Sequence, residues 1–200
     1  MRVILASSSP RRKQLMARMG LQFEVIPSNC EEKFLPGQSP VDISVELALQ
    51  KARDVSGRIN EPALVIGADT IVVKQDKLLG KPKNKDEAYM MLHELQGQVH
   101  EVITGLAVID TGSHRCLTGY ERTQVELAPL TPQEIEWYIN TGEPMDKAGA
   151  YAIQGFGGIL VSRIEGCYYN VVGLPIHRLW VMLKQIGVHR TGGIQANIPE

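Results

Sequence analysis

The sequence has few cysteines, and they show no metal-binding or disulfide pattern. Cys30, Cys116 and Cys167 are odd in number and far apart, with no C-x-x-C pair and no histidine at zinc-ligand spacing. This usage fits reduced thiols that serve as small apolar side chains. A chain of 200 residues buries enough surface to fold without disulfides or a structural metal. We therefore expect a cytoplasmic protein.

Long apolar runs and an excess of either charge are also missing. No run approaches the roughly 18 residues that a membrane-spanning helix needs, and the first apolar segment, residues 3–6, is too short for a signal-peptide core. The chain has 21 basic and 22 acidic residues, for a formal net charge of -1. A constitutive nucleic-acid binder would show a basic excess. We expect no stable nucleic-acid partner and no membrane association, so any anion site must be local.

Two common nucleotide-binding signatures are absent. No G-x-x-x-x-G-K-[ST] loop occurs, since Gly80-Lys81 is followed by Pro82. The glycines of residues 155–158 lack the spacing of the dinucleotide fingerprint. A nucleotide site, if the chain has one, must be built from other residues.

Periodicity and capping residues predict a mixture of helices and strands. Helices are expected over 10–20, 40–52, 84–95, 131–140 and 174–186, and strands over 2–6, 22–27, 63–66, 71–73, 99–109, 115–127, 159–164 and 168–172. The elements do not alternate strictly, which favours an α/β fold with a mixed, twisted sheet flanked by helices. We expect one domain over residues 1–187 and an unpacked tail over 188–200.

The first candidate site lies where the first strand meets the first helix. Ser7 and Ser8 precede Ser9, the expected N-cap, and Arg11 and Arg12 follow on the first turn. A helix start exposes unpaired backbone N–H groups and the positive end of the helix dipole, which suits an anion. The structural alternative is a capped helix with two solvated arginines.

The second candidate is the carboxylate of Asp69, within Gly-Ala-Asp-Thr at residues 67–70. It lies between two β-branched runs, so we expect it at or just past a strand end. A carboxylate there is costly to desolvate unless a cation or donor meets it, which makes it a functional candidate. Lys81 is expected on the same rim. The alternatives are an aspartate that turns the chain and a solvated lysine.

The third candidate is the segment 146–155, Asp-Lys-Ala-Gly-Ala-Tyr-Ala-Ile-Gln-Gly. Small residues allow backbones to approach closely, and the amide of Gln154 can present a donor and an acceptor to a flat ligand edge. A glycine-rich loop alone has little specificity. The paired Glu31 and Glu32 and the helical Lys51 complete the set of candidate residues.

Six motifs in this order resemble those of the Maf family. They are Ser-Pro-Arg-Arg at 9–12, Glu-Glu at 31–32, Gly-Ala-Asp-Thr at 67–70, Gly-Lys-Pro at 80–82, Asp-Lys-Ala-Gly-Ala-Tyr at 146–151 and Val-Gly-Leu-Pro at 172–175. The resemblance runs from residue 3 to about residue 187. It implies a nucleoside triphosphate pyrophosphatase with an inosine triphosphatase-like fold, a cleft between two lobes and a homodimeric assembly.

The resemblance also implies the chemistry. A nucleoside triphosphate would be hydrolysed between the α and β phosphates, giving the monophosphate and pyrophosphate, with Mg²⁺ or Mn²⁺ as cofactor. Asp69 would accept a proton from the attacking water, with metal ligation as its second role. Glu31 or Glu32 would hold the metal together with Asp69, because hard carboxylate oxygens suit such cations.

Cationic and hydroxyl side chains would hold the phosphates. A triphosphate has about four negative charges, and the departing pyrophosphate needs cationic partners. By the resemblance Arg12, Lys51 and Lys81 would supply these charges and act in catalysis. Ser7 and Ser8 would donate hydrogen bonds to phosphate oxygens.

Three positions separate two branches of this family, one acting on dTTP and UTP and the other on 7-methyl-GTP. This chain has Arg11, Thr70 and Gln154, where the methylated-guanine branch tends to have Trp, Gln and Glu. A Trp would stack on a cationic purine, whereas a Gln can both donate to and accept from uracil or thymine. The residues favour dTTP and UTP as substrates. Open alternatives are modified pyrimidine nucleotides, the 7-methyl-GTP branch, and a regulatory nucleotide-binding protein of cell division.

Overall fold

The computed structural model describes residues 2–75 and 77–188. Its strands are β1 (Arg2–Leu5), β2 (Glu24–Val25), β3 (Ala63–Lys74), β4 (Lys77–Leu79), β5 (Val99–Asp110), β6 (Arg115–Leu127) and β7 (Val161–Glu165). Its α-helices are α1 (Pro10–Arg18), α2 (Pro40–Ser56), α3 (Lys85–Leu95), α4 (Pro132–Asn140), α5 (Tyr168–Val172) and α6 (Ile176–Gln185). Short 3-10 helices cover Glu143–Asp146, Ala148–Ala150 and Phe156–Leu160. Apart from Val188, the predicted tail lies outside the described residues.

The strands form one mixed sheet. Their order is β2-β1-β3-β5-β6-β7, and β4 pairs with β3. Strand β1 runs parallel to both β2 and β3, with Leu5 opposite Val25 and Ile66. The β3–β4 and β6–β7 pairs are antiparallel. This arrangement confirms the α/β class and the mixed sheet expected from the sequence.

The chain forms two compact units. The first contains the described residues up to Asp69, Thr104–Glu121, and the described residues from Gly173 onward. The second contains Thr70–Ile103 and Arg122–Val172. The expectation of a single domain over residues 1–187 stays a prediction. No helix within the described residues is long and apolar enough to cross a membrane.

The core of the first unit is built for close approach of α2 to the sheet. Its buried members are mostly small or β-branched: Ile4, Ala6, Ala48, Ala52, Val55, Ala63, Val65 and Ala107. A Cβ atom added to Gly67 would lie 2.1 Å from the Ala48 carbonyl oxygen, and one added to Gly105 would lie 2.1 Å from that of Ser44. Helix α2 therefore rests directly on the backbone of β3 and β5. Lys51 lies on this helix between Ala48 and Ala52.

The core of the second unit packs α3 and α4 together with strand residues. Leu92, Leu95, Ile135 and Tyr138 are all buried there. Capping residues fix where both helices begin, because the Asn84 side chain accepts from the Glu87 N–H and Thr131 forms a full capping box with Glu134. The predicted starts of these two helices are confirmed.

The expectation that Asp69 lies at or just past a strand end is wrong. Residues 63–66 and 71–73 belong to one continuous strand, β3, and Asp69 lies inside it. Different partners support the two halves of the strand, since β1 pairs with Ala63–Ile66 and β4 pairs with Val72–Lys74. The glycine in the middle does not break the strand because it makes room for α2.

The predicted strand over 168–172 is also wrong, because these residues form α5. The β-branched and aromatic residues there suggested a strand, but tertiary hydrogen bonds decide the conformation. Asn170 is fully buried and its Nδ2 donates to the Val102 carbonyl oxygen and to Thr123 Oγ1, each at 2.9 Å. The predicted strands over 22–27 and 159–164 are shorter than expected, at Glu24–Val25 and Val161–Glu165.

We expect Gly67→Ala to destabilise the protein strongly. The added methyl group would overlap a backbone carbonyl of α2 that has no freedom to rotate away, and overpacking typically costs about 1–3 kcal/mol. Urea unfolding should show a loss of at least about 2 kcal/mol in the free energy of unfolding. Gly80→Ala is the matched control, since a Cβ there would meet nothing within 4 Å. Equal stability of the two variants would contradict the close contact between α2 and β3.

Candidate active site

The turn after β1 joins two of the predicted site residues, Ser7 and Arg12. Ser7 is buried, and its Oγ accepts hydrogen bonds from the Ser9 N–H at 3.2 Å and from Arg12 Nη1 at 3.5 Å. Ser9 caps α1 as expected, accepting from the Arg12 N–H at 3.4 Å. Ser8 is exposed. The turn therefore orders Ser7 and Arg12 together and leaves Ser8 open to a ligand.

The guanidinium of Arg12 is fixed from a second direction. Its Nε donates to the Gly173 carbonyl oxygen at 2.8 Å. Gly173 has φ +124°, a conformation that favours glycine. Burial lowers the pKa of Arg12, while the nearby Asp69 carboxylate opposes that shift. Gly173 belongs to the Val-Gly-Leu-Pro motif, but the sequence alone gave it no role in the site.

Lys51 is the centre of the polar cluster in the first unit. Its Nζ contacts Glu32 Oε1 at 2.8 Å and also donates to Asp69 Oδ1. The side chains of Lys51 and Asp69 are only 15% and 11% exposed, whereas that of Glu32 is 53% exposed. Helix α2 thus delivers an ammonium group to a carboxylate on β3, and a second carboxylate reaches it from the loop before α2.

The sheet explains why Asp69 meets the turn after β1. The parallel pairing of β1 with β3 ends at Leu5 and Ile66, followed by a hydrogen bond from the Ala6 N–H to the Ile66 carbonyl oxygen. Strand β3 continues beyond this point, so Asp69 lies past the carboxyl end of β1. Ligands of α/β proteins commonly bind at the carboxyl ends of parallel strands. Ser7, Arg12, Lys51 and Asp69 therefore form the candidate site of the first unit.

The carboxylates differ in their suitability for a metal. Glu32 and Asp69 both contact one ammonium group, whereas Glu31 pairs with Lys33 at 2.8 Å and is mostly exposed. Across residues 2–75 and 77–188, no group of three or more His, Cys, Asp or Glu side chains is placed to hold a metal ion. The converging oxygens of Glu32 and Asp69 are the donor type that Mg²⁺ and Mn²⁺ prefer. These two residues fit a divalent cation better than Glu31 does.

The three residues predicted to select the base are distributed over both units. Arg11 lies on the first turn of α1, in the first unit. Thr70 and Gln154 belong to the second unit, with Thr70 on β3 and Gln154 exposed in a turn before the 3-10 helix Phe156–Leu160.

Lys81 also belongs to the second unit and is exposed. It is the second residue after the end of β4. The Gly80 carbonyl oxygen accepts from the Gly149 N–H at 3.0 Å, which ties the Gly-Lys-Pro segment to the Asp-Lys-Ala-Gly-Ala-Tyr segment. Two motifs that are far apart in the sequence are therefore adjacent within one unit.

A buried polar pair supports the second of these motifs. His100 Nε2 and Tyr151 Oη are 2.7 Å apart, and both residues are buried. Burial lowers the pKa of His100 to about 4, and the charge of Lys74 acts in the same direction. Burial also raises the pKa of Tyr151. His100 was not among the predicted site residues, because the residues around it in β5 give no sign of its polar partner.

Solved structures identify the fold. A HAM1 protein from Coxiella burnetii matches with a TM-score of 0.51 and 15% identity, covering 92% of this chain and 99% of that one. The Ham1 protein of Staphylococcus aureus matches with a TM-score of 0.50 and 13% identity, covering 93% and 100%. At such identity the likeness shows a shared fold, and it agrees with the predicted class.

Sequence comparison identifies the family. The model of the Maf-like proteins matches residues 2–186, so the chain belongs to this family. A relative from Thermoanaerobacter sp. (strain X514) is 51% identical over 185 residues, 92% of this chain and 96% of the relative. One from Alkaliphilus oremlandii (strain OhILAs) is 52% identical over 182 residues, covering 91% and 94%. Both relatives are named dTTP/UTP pyrophosphatase. The predicted family is confirmed.

We expect His100 to make the stability of the protein depend on pH. Its pKa lies near 4 in the folded state and near 6.5 when unfolded. Between pH 4 and pH 6.5 the imidazole of residue 100 is therefore protonated mainly in the unfolded chain. The free energy of unfolding should therefore fall with decreasing pH in this window, by about 1.4 kcal/mol per unit. Urea unfolding from pH 7.5 to 4 would measure it.

Two variants separate this effect from the titration of other groups. His100→Gln should reduce the slope, whereas His93→Gln, which changes an exposed histidine on α3, should keep it. A His100→Gln variant with the wild-type slope would show that His100 does not titrate in this range.

Proposed function

We propose that this chain hydrolyses dTTP and UTP to the corresponding monophosphate and pyrophosphate. The observation that carries the proposal is the cluster of Asp69, Lys51 and Arg12 at the carboxyl end of β1. A largely buried carboxylate near two cationic side chains suits a reaction that needs a proton acceptor and bound phosphates. Relatives of about 50% identity named dTTP/UTP pyrophosphatase support the choice of substrate.

The proposed reaction adds one water across a phosphoanhydride bond. The water oxygen forms a bond to the α phosphorus, and the bond from that phosphorus to the bridging oxygen of the β phosphate breaks. Asp69 accepts a proton from the water. The positive charges of Lys51 and Arg12 stabilise the negative charge that develops on the phosphate oxygens. Lys81 keeps the phosphate-binding role that the family resemblance implies.

Ser7 and Ser8 have separate parts in phosphate binding. The buried Ser7 already bonds to Arg12 Nη1, so we assign it mainly to orienting the guanidinium. The exposed Ser8 has its hydroxyl and backbone at the N-terminal side of α1, where an anion is favoured. We assign Ser8 to direct contact with a phosphate oxygen.

A divalent cation, Mg²⁺ or Mn²⁺, is part of the proposal. When bound, it would neutralise phosphate charge and polarise the phosphoryl oxygens. Glu32 and Asp69 are the residues proposed to hold it. Glu31, which pairs with Lys33, is the alternative ligand.

Base selection is assigned to Arg11, Thr70 and Gln154. The thymine and uracil edge alternates acceptor, donor and acceptor, and the amide of Gln154 can satisfy one of each kind. A carboxylate at this position would only accept. The proposal therefore favours dTTP and UTP over 7-methyl-GTP.

We also propose that the protein is a homodimer in the cytoplasm. The family resemblance supports the dimer. Cys30, Cys116 and Cys167 are all free thiols, which supports a reducing compartment. Light scattering coupled to size exclusion would measure the assembly.

The nature of the products provides the first test. Wild-type protein should convert dTTP and UTP to monophosphate and pyrophosphate with Mg²⁺ or Mn²⁺, and EDTA should stop the reaction. The measurement is product identity by ion-exchange chromatography for dTTP, UTP, CTP, ATP and 7-methyl-GTP. Orthophosphate as the first product would mean attack at the γ phosphate and would contradict the proposal. A preference for 7-methyl-GTP would contradict the assigned substrate class.

Asp69→Asn should reduce turnover of dTTP by about 10²- to 10⁴-fold, because a positioned general base contributes that much to a rate. The change keeps the side-chain shape and removes the proton acceptor. Asp42→Asn is the matched control, because it makes the same chemical change on α2, where the Asp42 carboxylate accepts from the hydroxyl of the capping residue Ser39 at 2.6 Å. Steady-state kinetics and thermal melts of both variants check the result. Activity of Asp69→Asn within a few-fold of wild type would remove Asp69 from the mechanism.

A further inference from the structure

The turn that carries Gln154 is held by a hydrogen-bonded network in the second unit. Tyr138 on α4 is fully buried, and its hydroxyl accepts from the Ala152 N–H at 3.0 Å. The same hydroxyl donates to Glu143 Oε1 at 2.8 Å. The backbone just before Gln154 is thus fixed to a helix whose own start is capped.

Glu143 fixes the backbone on the other side of Gln154. Its Oε2 accepts from the Phe156 N–H, and its Oε1 accepts from the Gly157 N–H, both at 2.9 Å. One carboxylate therefore receives two backbone N–H groups and one hydroxyl. Hydrogen bonds to an ionised acceptor are stronger than those between neutral groups, so this carboxylate is well suited to hold a turn.

Glycines make the approach of Glu143 feasible. A Cβ added to Gly155 would lie 1.8 Å from Glu143 Oε2, and one added to Gly157 would lie 2.6 Å from the Tyr138 hydroxyl oxygen. The glycines around Gln154 thus provide the space in which the network forms. This explains them without any need for a phosphate-binding loop.

Two further contacts restrict the same segment. The ring of Phe156 packs edge-on against Trp137 of α4, with centroids 6.0 Å apart. Tyr151, just before the turn, is hydrogen-bonded to the buried His100. Gln154 itself is exposed, and the backbone on both sides of it is held in place by these contacts.

We propose that Tyr138 and Glu143 are positioning residues for base selection, acting by fixing the turn that presents Gln154. This inference rests on the proposed function, in which Gln154 reads the pyrimidine edge. A turn that is ordered before binding spares the nucleotide complex the entropy of ordering it. Loosening the turn should therefore weaken binding of the preferred base and leave the chemical step alone.

Tyr138→Phe and Glu143→Gln test the inference. The first removes only a hydroxyl, and the second replaces one carboxylate oxygen by an NH2 group, which cannot accept from the backbone N–H that faces it. Each should raise KM for dTTP about five- to tenfold, as expected for a lost hydrogen bond that orders a binding group, with kcat within about twofold. The ratio of kcat/KM for dTTP to that for ATP should fall by a similar factor.

A double-mutant cycle with Gln154→Ala connects the network to its target. Once Gln154 is absent, Glu143→Gln should produce no further loss of selectivity for dTTP over ATP. Equal losses with and without Gln154 would mean that the network serves the fold in general, and would overturn the inference.

Two controls distinguish positioning from general stability. Ile135→Val removes a buried methyl group from the same helix and should lower stability without changing selectivity. Glu134→Gln makes the same chemical change as Glu143→Gln at the start of α4, where a capping box accepts either residue. A selectivity loss in these controls equal to that of Glu143→Gln would also overturn the inference.

Amide hydrogen exchange of the nucleotide-free protein measures how firmly the network holds the turn, independently of activity. The N–H groups of Ala152, Phe156 and Gly157 should exchange faster in Tyr138→Phe or Glu143→Gln, while the core amides of α3 stay protected. Faster exchange with unchanged dTTP selectivity would overturn the inference and leave the proposed function intact. No hydrolysis of dTTP or UTP by wild-type protein would instead overturn the proposed function, and the role in base selection with it.

Discussion

The contact between Lys51 and Asp69 joins the main features of the first unit. It forms where α2 packs on β3, and it requires the close approach that Gly67 and Ala48 permit. Partly buried ion pairs contribute little net stability, because desolvation of the charges offsets their attraction. The contribution of this pair is positional, because it holds an ammonium group and a carboxylate together at the carboxyl end of a parallel strand, beside Arg12. The packing of the helix thus determines the chemistry that the site can perform.

In the second unit, the main constraint is that an irregular segment must be held in one conformation. Residues 143–160 contain three short 3-10 helices and several glycines, so regular secondary structure cannot satisfy all of their backbone groups. Side chains do this instead. Glu143 and the Tyr138 hydroxyl accept three backbone N–H groups between them. A segment of low intrinsic order becomes a defined surface because it is anchored to α4, whose own start is fixed by a capping box.

Fold and family are established by different observations. The resemblance to Ham1 structures, at 13–15% identity, shows an arrangement of strands and helices shared across distant sequences. A fold of this kind does not specify a substrate. The family is shown by a match over residues 2–186. The structure shows what several of the shared motifs do in this chain. Of its motifs, Ser-Pro-Arg-Arg begins a helix, Gly-Ala-Asp-Thr lets a helix approach a strand, and Val-Gly-Leu-Pro supplies a carbonyl group to Arg12.

The sequence by itself determined the α/β class, the starts of the capped helices, and most of the residues in the candidate site. These features depend on local chemistry: Ser9, Asn84 and Thr131 accept backbone N–H groups a few residues ahead, and hydrophobic spacing marks the buried faces. The tertiary structure alone decided that β3 is continuous, that residues 168–172 are helical, and that Lys51 joins Glu32 and Asp69. It also revealed Tyr138 and Glu143. Each of these depends on partners far along the chain, such as β1 and β4 for β3 or Val102 and Thr123 for Asn170, and periodicity within a short window contains no information about them.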